Sequence, residues 1–568
     1  MNRSPHSDIS IVLAGQAGQG IETIESVLVH VLKSACYNLF ATKEYMSRVR
    51  LGANSTEIRL SSKKKVNCYV SRIDLLVPLE KQSMARLKPR ISSSTVVLCD
   101  ADVFAGLGAH VEIPFAAMAE EAGGKIFTNT AAIGVVCGIL GIDMGLAAGQ
   151  IKKEFADRRE DVIQKNLVAL QKGYDAGVEV VTCGKVKFDL VTDACVADDI
   201  LVNGAEAIAL GAVAGGCNFI SSYPMSPSTA VLSSLAEKSR TFDIIAEQAE
   251  DEIAAINMAL GAWYAGGRGM VTTSGGGFAL MCEGVSLAGM IESPIVIHIG
   301  QRPGPATGLP TRTEQGDLNL ALYAGHGVFP RVILAPGTIE DGFSLAQKAF
   351  NIADKYQVPV FILSDQYYID SYYNIAPFNL EGVNIESNVS RTSKDYNRYT
   401  MTDSGISPRG IPGYGDGLVL VDSDEHDEQG HITESFKVRT AMVDKRLRKL
   451  AGFKNDMIPP RFTGNTDFQC LVVGWGSTFN VIEEALDIIG NATIAHLHFT
   501  QVYPLHPDTK RYFDKAAKVI LVEGNASGQF GQLIRQELCV DIPDMILKYS
   551  GEPFNVEELV AKIEKEGA

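Results

Sequence analysis

Residues 268–300, RGMVTTSGGGFALMCEGVSLAGMIESPIVIHIG, decide the architecture. A short apolar run, GMVTT, breaks on Ser274 and a row of glycines; a helical stretch follows, and a second apolar run, IVIHIG, closes the segment. Strand, glycine turn, helix and strand within roughly 30 residues make a βαβ unit, the building block of parallel sheets. Outward from it the rhythm repeats in CNFISSYP, FPRVILAP and VPVFILSD, then in FQCLVVGWGST, TIAHLHF and KVILVEGN. Toward the N-terminus, ISIVLAG leads into the helical pattern IETIESVLVHVLKSA, with VNCYV, IDLLVPL and TVVLCD as further expected strands. The fold class is therefore α/β, with three α/β domains expected at 1–185, 196–370 and 463–568. CGKVKFDLVTDACVADDI reads as a connector, and residues 371–462 as an irregular insert ending in a basic linker helix.

Composition narrows the function. A length of 568 residues exceeds one ordinary core, and 46% hydrophobic with 21% charged residues is globular. A formal net charge of -16 argues against nucleic acid as a partner, since phosphate binding needs a basic surface. No apolar stretch reaches the roughly 18 residues of a membrane span, and the opening MNRSPHSDISIVLAG reads as a buried strand, so a cytoplasmic location is expected. The 10 cysteines include no C-x-x-C, which places any iron–sulfur cluster on another chain.

Three segments carry candidate chemistry. Tyr223-Pro224-Met225-Ser226-Pro227-Ser228-Thr229 follows an apolar strand, and its hydroxyls lie where α/β sheets bind ligands, one of them capping the next helix. It reads equally as a plain strand–cap–helix turn. Glu250, Asp251 and Glu252 open a helix whose Ile253, Ile256, Leu260 and Tyr264 have core spacing. Acids suit a helix N-terminus, but three exceed what a cap needs, so at least one is expected to point inward. In GQRPGPATGLPTRTEQGDL, Arg302 and Arg312 can fork onto a carboxylate, and Arg302, directly after a strand, is the more rigidly held. GQAGQG at the N-terminus fails the G-x-G-x-x-G dinucleotide fingerprint, which counts against an NAD-binding dehydrogenase. The acids, His426 and His431 of SDEHDEQGHITE read as a solvated loop ahead of a metal site, and no metal ligand is assigned in the chain.

YPMSPST, EQAEDEIAAINMALGA, TTSGGGFALM and QRPGPATGLPTRTEQGDL together resemble the α subunit of 2-oxoacid:ferredoxin oxidoreductases, in the form with a γ domain fused ahead of α. The resemblance implies a thiamine diphosphate site shared with a β subunit, with Tyr223, Pro224, Glu252, Gly275, Gly276 and Gly277 on the pyrimidine side. Glu252 matches the family's glutamate that hydrogen-bonds the pyrimidine ring nitrogen; a carboxyl taken out of water binds its proton more tightly, which suits proton sharing there. Arg302 matches the arginine that holds the 2-oxoacid carboxylate, with Thr311 beside it and Arg312 as the alternative clamp. Ser226 stands where the family often has threonine in YPITP; the hydroxyl is kept, the methyl lost, and the pocket slightly larger.

GQAGQG and EYMSRVRLGANSTEIRL are similar to signatures of the γ domain, where Gly18, Gly20, Arg48, Arg50 and Asn54 would meet coenzyme A, unless that domain serves only assembly. Gly415-Asp416-Gly417 reads as a turn, because the asparagine that completes a magnesium–pyrophosphate motif is missing before Asn455. Pyrophosphate, magnesium and a 4Fe–4S cluster are then expected in the β subunit. The loop around Arg409 would read a second carboxylate, and VVGWGST with VEGNASGQFGQL resembles the transketolase C-terminal domain, which braces a dimer. The implied reaction converts 2-oxoglutarate, coenzyme A and oxidised ferredoxin to succinyl-CoA, carbon dioxide and reduced ferredoxin, in a dimer of heterodimers. Pyruvate, branched-chain or mixed 2-oxoacids are the nearest alternatives. A non-catalytic assembly subunit is the alternative of another class, and a retained Glu252 with Arg302 argues against it.

Overall fold

The computed structural model describes residues 8–16, 20–45, 52–62, 65–104, 106 and 108–566. The chain divides into two compact units: Met1–Asn203 with Asp370–Pro377 and Asn555–Glu557, and Gly204–Ile369 with Phe378–Phe554 and Glu558–Ala568.

The first unit is built on an 8-stranded mixed sheet. Its central strand, Asp8–Gln16, runs parallel to Leu75–Pro78 and antiparallel to Ala53–Ser61. Ala53–Ser61, which covers the second half of the segment read from sequence as a ligand signature, pairs onward with Asn38–Glu44. VNCYV is not a strand: Val66, Cys68 and Val70 are buried in alternation, but the backbone has no ladder, and the Cys68 carbonyl accepts from Arg59 instead. Two short strands from distant sequence, Ile200–Asn203 and Tyr372–Ile375, complete the sheet. Asn374 fixes that edge, accepting from the Leu39 amide at 2.8 Å and donating to Asp199 at 2.6 Å.

Helices Thr128–Ile139 and Glu160–Thr182 cross at backbone contact. A Cβ on Gly134 would stand 2.3 Å from the Leu170 carbonyl oxygen, and one on Gly173 would stand 2.0 Å from that of Ala131. Gly138 and Gly177 repeat the contact one turn further along. Replacing Gly173 by alanine gains at most about 1 kcal/mol of helix propensity, whereas forcing the backbones apart costs about 1–3 kcal/mol. Gly173→Ala should therefore lower the thermal midpoint of this unit, read by calorimetry.

The second unit holds a 7-stranded and a 5-stranded sheet joined by one continuous apolar core. The larger is ordered Gln501–Tyr503, Val332–Leu334, Pro359–Asp365, Ile295–Gln301, Gly269–Thr273, Phe219–Ser222 and Ile245–Gln248. All neighbours are parallel except Gln501–Tyr503, an edge strand lent by the C-terminal segment. The smaller sheet runs Arg461–Thr463, Ile494–Phe499, Cys470–Trp475, Lys518–Glu523 and Asp544–Leu547, with only the first antiparallel. Three α/β layers and an irregular insert are thus present. No single helix among the described residues is long and apolar enough to cross a membrane.

Two buried ion clusters pin the insert. Asp354 sits between Arg268 and Arg409, both at 2.6 Å. Glu292 sits between Lys445 and Lys449 of helix Phe436–Phe453, also both at 2.6 Å, and none of the three side chains is more than 1% exposed. The paired lysines hold the Glu292 carboxyl far below the usual carboxylate range against the opposing effect of burial, and burial pushes Lys449 down to about 8. The acidic loop is not the solvated face expected from its charges. Glu425 pairs with Arg439 and Arg446 of the same helix, and His426, fully buried, packs 3.9 Å from the Tyr399 ring centroid. Glu292→Gln leaves two buried ammonium groups short of charge and should cost about 3 kcal/mol or more in urea unfolding. The triple change Glu292→Leu, Lys445→Met, Lys449→Met should recover most of that loss.

Candidate active site

The C-terminal ends of the parallel strands carry Ser226, Glu252 and Arg302 at one edge of the sheet, the strand-end position of the candidate cleft. Asp251 caps helix Glu252–Tyr264, its carboxylate accepting from the Ala254 amide at 2.7 Å. Glu250 stays exposed, and Glu252, the first helical residue, turns inward to 3% exposure. The three acids thus have three different environments, which the run itself could not apportion. Glu252 Oε1 is buried without a hydrogen-bond partner. It lies where a side chain on Gly277 would be, 2.4 Å from an ideal Cβ. The adjacent Ser274 Oγ is buried and unpartnered too, and Gly276 faces outward. Only glycine at 275 and 277 admits such an approach.

Opposite this turn, Ser226 is exposed and Pro224 half-buried, while Tyr223 is 41% exposed. Arg302, at the end of Ile295–Gln301, donates from Nη1 to the Ser226 carbonyl at 2.6 Å. No hydroxyl of the segment caps helix Thr229–Lys238 by accepting an amide; Ser228 Oγ instead donates to the Met225 carbonyl at 2.7 Å, closing its own turn. Of the two arginines, Arg302 reaches the Ser226 turn. Thr311 and Arg312 lie on the turn Leu309–Arg312, whose Arg312 Cβ sits 3.1 Å from an ideal Cβ on Gly551.

Arg409, expected to read a carboxylate, is 4% exposed and committed to Asp354 and to the Trp263 carbonyl. Gly415-Asp416-Gly417 is a turn folded onto Thr392, whose carbonyl and hydroxyl accept from the Asp416 and Gly417 amides. In the first unit, Gly20 precedes helix Ile21–Ser34 with φ of 80° and Asn54 lies on strand Ala53–Ser61, opposite Gly15. Gly18, Arg48 and Arg50 lie outside the described residues.

Sequence reasoning passed over two groups. His298 is fully buried mid-strand between Thr272 Oγ1 at 2.6 Å and Ser364 Oγ at 2.7 Å, tying three strands together beneath the cleft. Asp317, inside TEQGDL, was given no role. Its carboxyl lies against Gly275 and is pushed up to about 7, first by burial and then by Glu314, with Arg302 opposing. An acid at a cap position inside a glycine- and proline-rich loop was the available signal.

The segment carrying Asp317 is gripped by the C-terminal sheet. Gln315 donates its amide to the Gly524 carbonyl at 2.7 Å, and Oε1 accepts from the Gly524 amide at 2.8 Å. Its Nε2 donates to the Trp475 carbonyl at 2.8 Å, and its carbonyl accepts from Asn525 at 3.0 Å. Glu523, fully buried and pushed up to about 7 by burial, accepts from Trp475 Nε1 and Asn525 and so orders both donors.

The buried carboxyl on a helix start, the glycine turn and the strand-end arginine all fall within a segment that matches a thiamine diphosphate-binding family. The family described as pyruvate flavodoxin/ferredoxin oxidoreductase, thiamine diphosphate-binding, matches residues 210–445, and pyruvate ferredoxin/flavodoxin oxidoreductase matches 10–176. A 2-oxoacid:ferredoxin oxidoreductase subunit alpha from Sulfolobus sp is 30% identical over 98% of this chain and 97% of its own. A 2-oxoglutarate synthase subunit KorA from Archaeoglobus fulgidus is 31% identical over 64% of this chain and 99% of its own. The solved 2-oxoglutarate:ferredoxin oxidoreductase from Magnetococcus marinus, with 2-oxoglutarate, coenzyme A and succinyl-CoA bound, superposes with a TM-score of 0.90 at 28% identity, covering 99% of this chain and 100% of its own. The chain belongs to the 2-oxoacid:ferredoxin oxidoreductase alpha-subunit family, and so is one subunit of an oxidoreductase.

His298 generates a pH prediction. Burial holds its imidazole neutral, at about 3 against an ordinary 6.5. Below pH 6.5 the unfolded chain gains a proton that the folded chain refuses, so stability is lost as pH falls from 6.5 toward 3. At pH 5 the loss amounts to about 2 kcal/mol. Urea midpoints at pH 7 and 5 should differ less in His298→Gln than in the wild type.

Proposed function

We propose that the chain is the alpha subunit of a coenzyme A-dependent 2-oxoglutarate:ferredoxin oxidoreductase. The observation that carries this reading is the buried, unpartnered Glu252 Oε1 on a glycine turn, in a cleft that also holds the Arg302–Ser226 pair. Glu252 would hold the pyrimidine ring nitrogen of thiamine diphosphate and a proton with it, while Tyr223, Pro224 and Gly275–Gly277 would wall the ring. When bound, thiamine diphosphate supplies the carbanion chemistry of decarboxylation. Arg302 would take the 2-oxoacid carboxylate by a forked contact, releasing the Ser226 carbonyl. The Ser226 hydroxyl would meet the keto or carboxylate oxygens, with Thr311 and Arg312 further out.

Preference for 2-oxoglutarate is supported by the Magnetococcus and Archaeoglobus relatives; pyruvate, branched-chain and mixed 2-oxoacids are the competing substrates. A β partner is supported by the helix that begins at Glu252. Its Ile253 and Tyr264, expected in the core, are 49% and 39% exposed, and Met258 is 37% exposed. Helical spacing identified an apolar helix but not that both of its faces are apolar. The β subunit would bring the pyrophosphate and magnesium half of the site and the 4Fe–4S cluster, ferredoxin would take the electrons, and the pairs would assemble as a dimer of heterodimers. Coenzyme A would meet the γ-type unit near Gly20 and Asn54, with Gly18, Arg48 and Arg50.

The test is viologen reduction by the complex co-expressed without oxygen, supplied with thiamine diphosphate, magnesium and coenzyme A. Reduction with 2-oxoglutarate, slowed about 100-fold or more by Glu252→Gln, is expected. Reduction with pyruvate alone would keep the chemistry and overturn the substrate.

A further inference from the structure

Asp317 is the acid of the cleft that none of the roles above uses. It stands where a cap belongs, directly before helix Leu318–Tyr323, yet its side chain makes no cap bond. The carboxyl lies instead on the glycine turn: an ideal Cβ on Gly275 would be 2.2 Å from Oδ1 and 2.6 Å from Oδ2. Oδ2 is shut off from solvent with no hydrogen-bond partner. Its backbone cannot swing away. The Asp317 amide donates to Gln301 Oε1 at 3.1 Å, the Gly316 carbonyl accepts from Gln529 at 2.8 Å, and Gln315 is held on all four of its polar groups. The charged groups around it are Glu314 on its own segment and Arg302 at the neighbouring strand end, with Glu252 further along the same turn.

We propose that Asp317 is a positioning residue for Arg302: it carries a proton while a 2-oxoacid carboxylate occupies the guanidinium, and when ionised it competes for that guanidinium, so that the acid and one proton bind together. The inference rests on the reading of Arg302 as the carboxylate clamp. The sign follows from the neighbours. Burial and Glu314 both favour the protonated form, and Arg302 alone opposes it. A bound carboxylate cancels much of the Arg302 charge and so strengthens the hold of Asp317 on its proton. The proton comes from solvent and returns to it when the carboxylate leaves.

The experiment uses the full complex with its cofactors and 2-hydroxyglutarate, which keeps both carboxylates but has no keto group to react. Titration calorimetry between pH 6 and 8.5, in two buffers of unlike ionisation enthalpy, reads affinity and proton uptake together. Wild-type affinity should fall toward about tenfold per pH unit above about pH 7, with uptake approaching one proton. Asp317→Asn should bind with a flat pH profile and no uptake. Glu314→Gln should shift the wild-type midpoint to lower pH, an arm that stands even where the Asn variant does not fold. A slope retained in Asp317→Asn, a slope abolished by Glu314→Gln, an unmoved midpoint or a flat wild-type profile would each overturn the inference alone. No binding by the wild type at any pH would overturn the Arg302 reading and this inference with it.

Discussion

Each of the four polar groups of Gln315 is hydrogen-bonded to the C-terminal segment, and the geometry of the cleft depends on that attachment. Each such bond contributes only about 1 kcal/mol net, but leaving a buried one unmade costs more. The loop is therefore held in one place by the cost of any alternative. Through it the smaller sheet sets where Asp317 lies against Gly275, and Glu523 fixes the Trp475 and Asn525 donors from behind. A domain with no residue in the cleft thus acts on it by positioning backbone.

The insert is held by buried charge as well as by apolar packing. It has little regular structure between Phe378 and Ser435, and its anchor points are Asp354 and Glu292, each buried between two cations. Buried ion clusters of this kind are seldom more stabilising than apolar side chains of equal volume. What they impose is register: Arg409 and Lys445 have one place each to put their charge. That is why a segment rich in glycine and acids adopts a single path over the thiamine diphosphate-binding domain.

Much of this was legible in sequence because it is local. Strand, glycine turn and helix follow from residues a few positions apart, and Arg302 was read as the more rigidly held arginine because it directly follows a strand, from where it reaches the Ser226 turn. The misreadings share the opposite cause. VNCYV alternates like a strand but has no neighbour to pair with, and Asn38–Glu44 and Ala53–Ser61 acquire theirs from each other, from Asp8–Gln16 and from the distant Tyr372–Ile375. Arg409 looked available because Asp354 is far away in sequence. Asp317 was passed over because nothing in TEQGDL reveals that Gly275 leaves room for its carboxyl. Ile253 and Tyr264 have core spacing on a helix whose second apolar face is left uncovered by this chain.

That uncovered face bears on how the chain is made. Ile253, Met258 and Tyr264, together with Leu280 at 52% exposure and Phe436 at 89%, put sizeable apolar side chains in contact with water. Surface of this kind drives association with whatever apolar surface is at hand. Copies produced in excess of the other subunits would meet one another first, so matched synthesis of the subunits becomes a condition of colloidal stability. A mutation that lowers only the supply of the other subunits would then be felt first as aggregation of this one.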